Sequence, residues 1–156
     1  MTRIRPFEAD DADAMAALYV RAVREIGARD YSPAQVEAWA GGESRAELFR
    51  QKMQDGRRGW VALNADGQVT AFVDLEADGH IDFLYATPEV AGTGVAGALL
   101  DVLEAAAGEA GLKRLYVEAS EPARRVFSRR GYDLLHRRDF EVGGVAIHNY
   151  SMERRL

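Results

Sequence analysis

The sequence predicts an α+β fold: a mixed, mostly antiparallel sheet of six to seven strands with helices on both faces. Three observations carry this expectation. Helical periodicity fills residues 8 to 54, then stops abruptly. Three strand patterns follow in residues 59 to 88, separated by Asp66-Gly67 and Asp78-Gly79, so each strand runs antiparallel to the one before it. A single strand–helix–strand unit comes next, and the chain closes on a hairpin. The 156 residues suit one domain, 1–156, with a sizeable core.

Each element has a local reason. "RIRPF" is a short strand. Glu8 to Asp13 form the acidic opening of a helix, where the dipole favours negative charge. Met15, Leu18, Tyr19, Ala22, Val23 and Ile26 then recur at helical spacing, and Gly27 marks the end. "YSPAQVEAWA" is a short helix with Ser32 as N-cap and Pro33 in the first helical position. "SRAELFRQKMQ" is another, with Ser44 as cap. Strands "GWVAL", "VTAFVDL" and "HIDFLYA" come next. "GVAGALLDVLEAAAGEAG" is an Ala/Leu-rich helix that stops at Gly108 or Gly111. "KRLYVEA" is a strand and "PARRVFSRRG" a helix opened by Pro122. The final hairpin turns at Gly143-Gly144.

Composition excludes several classes. The net charge is −5, which disfavours a nucleic-acid partner despite the local basic run 124 to 138. There is no cysteine, so disulfides and thiolate metal sites are out. His80, His136 and His148 lack metal-binding spacing, and no metal is expected. "MTRIRPFEADD" has no apolar leader, and no apolar run is long enough to span a bilayer, so a cytoplasmic protein without membrane attachment is expected.

The chemistry concentrates in "IDFLYATPEVAGTGVAGALL". Gly92-Thr93-Gly94-Val95-Ala96-Gly97 spells G-x-G-x-x-G. A dinucleotide fingerprint is one reading, and Glu118 falls near the position of its ribose-binding acid. The spacing opposes that reading. Thr87-Pro88-Glu89-Val90-Ala91 separate the strand from the glycines, and Pro88 lengthens the connection. Too little chain follows Glu118 to complete a doubly wound parallel sheet. The physics of the loop survives. Glycine permits a sharp turn and close approach of backbone to ligand. The first N–H groups of the following helix have no internal partner and carry the positive dipole end, so the loop suits phosphate.

"LYATPEVAGTGVAGALL" resembles the acyl-CoA-binding motif of the GCN5-related N-acetyltransferases (GNAT), Q/R-x-x-G-x-G/A after a strand ending V-x-P. Ala86-Thr87-Pro88 stand at the V-x-P, and Ala91 to Ala96 at the six-residue motif, with Ala91 replacing the usual Gln or Arg. "EASEPARRVFSRRGY" is similar to the family's next segment, with Ser120 in place of Asn and Phe127 in place of Tyr. "YSPAQVEAWA" and "VGGVAIHNYSMERRL" further resemble the YafP-like bacterial subgroup.

The resemblance implies a GNAT fold whose fourth strand splays from the fifth. It implies N-acetyl transfer from acetyl-CoA, as cosubstrate, to a primary amine of a small molecule or peptide, and it admits a homodimer. Leu84, Tyr85 and Ala86 would hold pantetheine through backbone. The N–H groups of Gly92, Thr93, Gly94, Val95, Ala96 and Gly97 would hold pyrophosphate, although Gly97 also reads as a small packing residue. Asp82 and His80, alternating onto the face of Leu84 and Ala86, are candidate bases. With Phe127 unable to donate a proton, Tyr150 is one candidate acid and water another. Tyr31 and Trp39 are candidate substrate contacts. A CoA-binding sensor that has lost catalysis is the alternative.

Overall fold

A computed structural model describes residues 2–156. The eight strands are β1 (Arg3–Pro6), β2 (Arg58–Leu63), β3 (Val69–Leu75), β4 (His80–Ile81), β5 (Leu84–Ala86), β6 (Arg114–Ala119), β7 (Asp133–Val142) and β8 (Val145–Arg155). The α-helices are α1 (Ala12–Glu25), α2 (Pro33–Ala40), α3 (Ala46–Lys52), α4 (Val95–Glu109) and α5 (Glu121–Arg129). The α+β class expected from the sequence is the one observed. Instead of one continuous sheet there are two of four strands, ordered β1-β2-β3-β5 and β4-β6-β8-β7.

The difference comes from one side chain. The expected strand 80–86 breaks at Asp82-Phe83. The buried carboxylate of Asp74 on β3 accepts both backbone N–H groups there, at 3.0 and 2.7 Å. A side chain thus replaces the ladder, and the strand divides. β4 pairs parallel with β6, while β5 stays antiparallel to β3. The chain is thereby prised open between β5 and β6. Gly79 secures the other arm: its carbonyl accepts from Tyr116 N–H, and a Cβ there would lie 2.2 Å from the Arg114 carbonyl oxygen.

Alternation along β2 and β3 builds a core on each face. Trp60, Ala62, Ala71 and Val73 pack with Leu99, Leu100 and Leu103 of α4. Val61, Leu63 and Phe72 pack with Leu18, Val23, Val36 and Phe49 of the N-terminal helices. Ser32 caps α2 as expected, accepting from Gln35 N–H. Ser44 bonds Ala46 N–H from just ahead of α3. Gly143 and Gly144 turn the last hairpin with φ of 55° and 80°. No helix among the described residues is long and apolar enough to cross a membrane.

Candidate functional site

Two hollows meet at the splay. The larger, about 730 Å³, runs between the β5 edge, the loop before α4 and the outer face of α5. The smaller, about 110 Å³, lies between β6, β8 and the start of α2. Trp39, Leu84, Tyr85, Ser120 and Ala123 line both.

The larger cleft is a backbone surface. β5 bonds β3 through alternate residues: Thr87 N–H reaches Thr70 O, and Tyr85 stands opposite Phe72. In an antiparallel ladder the intervening residues point their backbone groups the other way, so Leu84 and Ala86 face the cleft. Tyr85, expected to face it too, turns its backbone into the sheet. Gly92 and Gly94 adopt φ of 77° and 93°, and a Cβ on either would project into open space. The N–H groups of Gly92, Gly94, Val95, Ala96 and Gly97 donate to no backbone carbonyl among the described residues; α4 takes its first from Ala98 to Gly94. Thr93 departs from expectation: Val90 O takes its N–H at 3.1 Å and its hydroxyl at 2.5 Å. Arg29 and Arg129 line the cleft without an ion pair among the described residues, whereas Arg125 and Arg130 are held by Asp30 and by Asp101 and Glu104. Unpaired N–H donors, a helix N-terminus and two free guanidiniums fit a polyanionic ligand.

The smaller cavity is built from side chains. Asp82 lines it, and its carboxylate binds Lys52 Nζ at 2.7 Å and Arg57 at 2.9 Å. Burial pushes the Asp82 carboxyl up, but those two cations outweigh it and hold it below the usual range. His80 sits between Glu118 at 2.9 Å and Glu76 at 2.7 Å. The Glu118 hydrogen bond lifts the imidazole to about 9, against the effect of burial, with Glu76 adding to it. His80 is therefore already protonated at neutral pH and has no lone pair to offer a substrate. The strand break also cancels the alternation expected to align it with Leu84 and Ala86. Glu76, His80 and Asp82 bring ligand atoms within 4.8 Å of one another. The bonds that Lys52 and Arg57 make to Asp82 oppose a further cation there.

Tyr31 and Trp39 both line the smaller cavity, with ring centroids 5.4 Å apart. The Tyr31 hydroxyl accepts from Glu121 N–H at 3.0 Å and donates to the His148 carbonyl at 2.9 Å. Burial pushes it up to about 12. Tyr150 is outside the lining of both hollows; its hydroxyl donates to Glu121 at 2.5 Å under the Arg124 guanidinium. Phe127 is fully buried against Tyr132 and lines the smaller cavity as an apolar wall. Sequence reasoning missed Asp74, Glu121 and His148, which form contacts across long stretches of chain. Only Asp74 left a sign, as a carboxylate inside the apolar run "AFVDL".

The splayed sheet, the glycine loop and the cleft between them define an acetyltransferase of the GNAT class. Residues 27–154 match the family described as "Acetyltransferase (GNAT) domain", and the chain belongs to that family. Among curated relatives it is similar to an uncharacterized N-acetyltransferase, YafP of Escherichia coli K12. The two are 32% identical, covering 96% of this chain and 93% of the relative. Among solved structures it is similar to a GCN5-related N-acetyltransferase from Rhodopseudomonas palustris, at 33% identity and TM-score 0.86, over 100% of this chain and 96% of that one. The PaiA N-acetyltransferase of Thermoplasma acidophilum, solved in complex with coenzyme A, shares the fold at 18% identity and TM-score 0.76, over 100% and 99% of the chains.

Proposed function

We propose that the protein moves an acetyl group from acetyl-CoA to a primary amine of a small molecule or peptide, by direct attack on the thioester. One observation carries the reading: the outward backbone edge of β5 and the unpaired N–H groups of Gly92, Gly94, Ala96 and Gly97 open on one cleft, continuous with a second cavity. The coenzyme A complex of the PaiA relative supports the choice of ligand.

In this reading Leu84 and Ala86 hold the pantetheine arm through their outward N–H and C=O groups. An N–H on this edge also donates to the negative charge that develops on the carbonyl oxygen. Gly92, Gly94, Val95, Ala96 and Gly97 hold the pyrophosphate, and Arg29 and Arg129 the far phosphate end. The bound ligand supplies the activated thioester carbon. Tyr31 and Trp39 wall the acceptor side. His80 and Asp82 hold this wall together through ion pairs and do not act as the base. Tyr150 holds Glu121, and solvent returns the proton to sulfur. The reading takes residues 1–156 as one cytoplasmic domain without nucleic-acid or membrane partners, and a homodimer is open to sedimentation.

Calorimetry with acetyl-CoA, CoA and NADH tests the ligand. Binding of NADH without CoA overturns the reading. Release of CoA across a panel of primary amines then tests the reaction. The buried Phe127, which cannot donate a proton, favours a second reading as a CoA sensor; tight acetyl-CoA binding with no amine-dependent CoA release would establish it.

A further inference from the structure

His148 lies on β8 and lines the smaller cavity, its side chain 15% exposed. Its Nε2 is 2.8 Å from Glu121 Oε1. Glu121 is the first residue of α5, where the helix dipole favours a carboxylate. Burial pushes its carboxyl up, but hydrogen bonds from Tyr150 and His148 and the charge of Arg124 hold it below the usual range. A carboxylate only accepts hydrogen bonds, so Nε2 is the nitrogen that carries the proton. In the neutral ring the lone pair therefore sits on Nδ1, which has no hydrogen-bond partner among the described residues. The ring cannot swing freely. Tyr31 donates to the His148 carbonyl, and its own ring lies 5.3 Å from the imidazole.

We propose that His148 is the general base for the acceptor amine, and that Glu121 positions it and steadies the imidazolium it becomes. The inference rests on the acetyl-transfer reading above. Nδ1 takes one proton from the acceptor's ammonium and frees the nitrogen lone pair. That pair forms the C–N bond, and the C–S bond breaks with its electrons leaving on sulfur. The second proton of the nitrogen passes through solvent to sulfur, and His148 returns the first to solvent. The balance is ammonium plus thioester giving amide, thiol and one proton. The sequence-based candidates are engaged: His80, outside the lining of the cavity, is held between Glu76 and Glu118, and Asp82 is bonded to Lys52 and Arg57.

The test uses two nucleophiles on the full chain. 2-Phenylethylamine suits the aromatic wall and arrives as an ammonium that must lose a proton. Hydroxylamine is already neutral near neutral pH and needs no base. His148→Gln should slow CoA release with 2-phenylethylamine by about 100-fold or more. Release with hydroxylamine, and acetyl-CoA affinity by calorimetry, should stay at the wild-type level. Equal loss with both nucleophiles, or no loss with either, overturns the base. So does wild-type turnover of hydroxylamine without that of 2-phenylethylamine. His148→Asn is the second variant should Gln disturb folding. Acetyl-CoA binding with turnover of neither nucleophile by the wild-type chain sinks the acetyl-transfer reading, and the base with it.

A readout independent of activity comes from ¹⁵N-histidine spectra of the protein without ligand. His148 should show the proton on Nε2, and Glu121→Gln should lose that preference. A proton on Nδ1 in the wild-type chain overturns the orientation.

Discussion

The larger cleft draws its backbone donors and acceptors from one continuous stretch, Leu84 to Gly97, whereas the smaller cavity is made of side chains from five separate parts of the chain. Along that stretch the groups that face the cleft are N–H and C=O, present whatever the residue. What matters there is geometry: an unpaired strand edge and two glycines with positive φ. In the cavity the Tyr31 hydroxyl alone joins segments 90 and 117 positions away. A site of the first kind tolerates side-chain change but not a change of backbone path. A site of the second kind is sensitive at single hydroxyls and carboxylates.

Asp74 holds both halves, and its removal should have the largest effect. It is 5% exposed, receives two N–H groups from the strand break and lies 2.6 Å from the buried Arg57. Asp74→Ala leaves that guanidinium short of a partner and two N–H groups unsatisfied. A loss of about 3–5 kcal/mol is expected in urea unfolding. Asp74→Asn keeps an accepting oxygen and should lose less. A loss under about 1 kcal/mol for the alanine variant would mean that the splay is held by something else.

Gly94→Val separates the two regions next. A β-branched residue at φ 93° is strained, at about 1–3 kcal/mol. Its side chain also projects into the space through which a phosphate would approach. CoA affinity should fall on the order of 100-fold, or about 2.7 kcal/mol. The His148–Glu121 tautomer, read by ¹⁵N spectra, should be unchanged. Unaltered CoA binding by calorimetry would remove the loop from the ligand site.

These two variants also mark where the sequence could and could not be read. The path from Pro88 through Gly92 and Gly94 into α4 was legible because glycine, proline and helix caps act locally. Tyr31 and Trp39, which the family resemblance puts on the acceptor side, both line the smaller cavity. The Thr93 donor was misread, because its N–H is taken by a turn that only coordinates reveal. The surroundings of Asp82 and His80 are illegible for a deeper reason. Strand alternation, which puts both on the face of Leu84 and Ala86, assumes an unbroken strand. Asp74 breaks it, and Lys52, Arg57, Glu76 and Glu118 then claim both residues. Glu121 and His148 had no local pattern at all, since they meet only when β8 lies against the start of α5.

Tyr31→Phe tests the acceptor side alone. It removes the acceptor for Glu121 N–H and the donor to the His148 carbonyl while keeping the ring. Stability should drop by about 1–2 kcal/mol in chemical unfolding. In kinetics the amine KM should rise with acetyl-CoA affinity unchanged. A matched loss of CoA affinity would show that the two regions are not separable at this residue.

The smallest effect concerns His80, whose imidazole is raised to about 9 by its two glutamates from an ordinary value of 6.5. Because the folded value is the higher one, the protonated ring stabilises the fold. That contribution is complete below about 6.5 and is lost as pH rises through 9. Unscreened, such a shift corresponds to roughly 3 kcal/mol. The ring and its glutamates touch solvent, at 18%, 35% and 34% side-chain exposure, so about 1 kcal/mol is the reasonable expectation. Burial raises the Asp74 carboxyl to about 6, which also makes stability fall with rising pH, but below the His80 window. Urea midpoints measured from pH 6.5 to 9 should therefore decline in the wild-type chain and stay nearly level in His80→Gln. An identical decline in both would place the titrating group elsewhere, whereas a level wild-type profile would return His80 to the list of rings able to accept a proton.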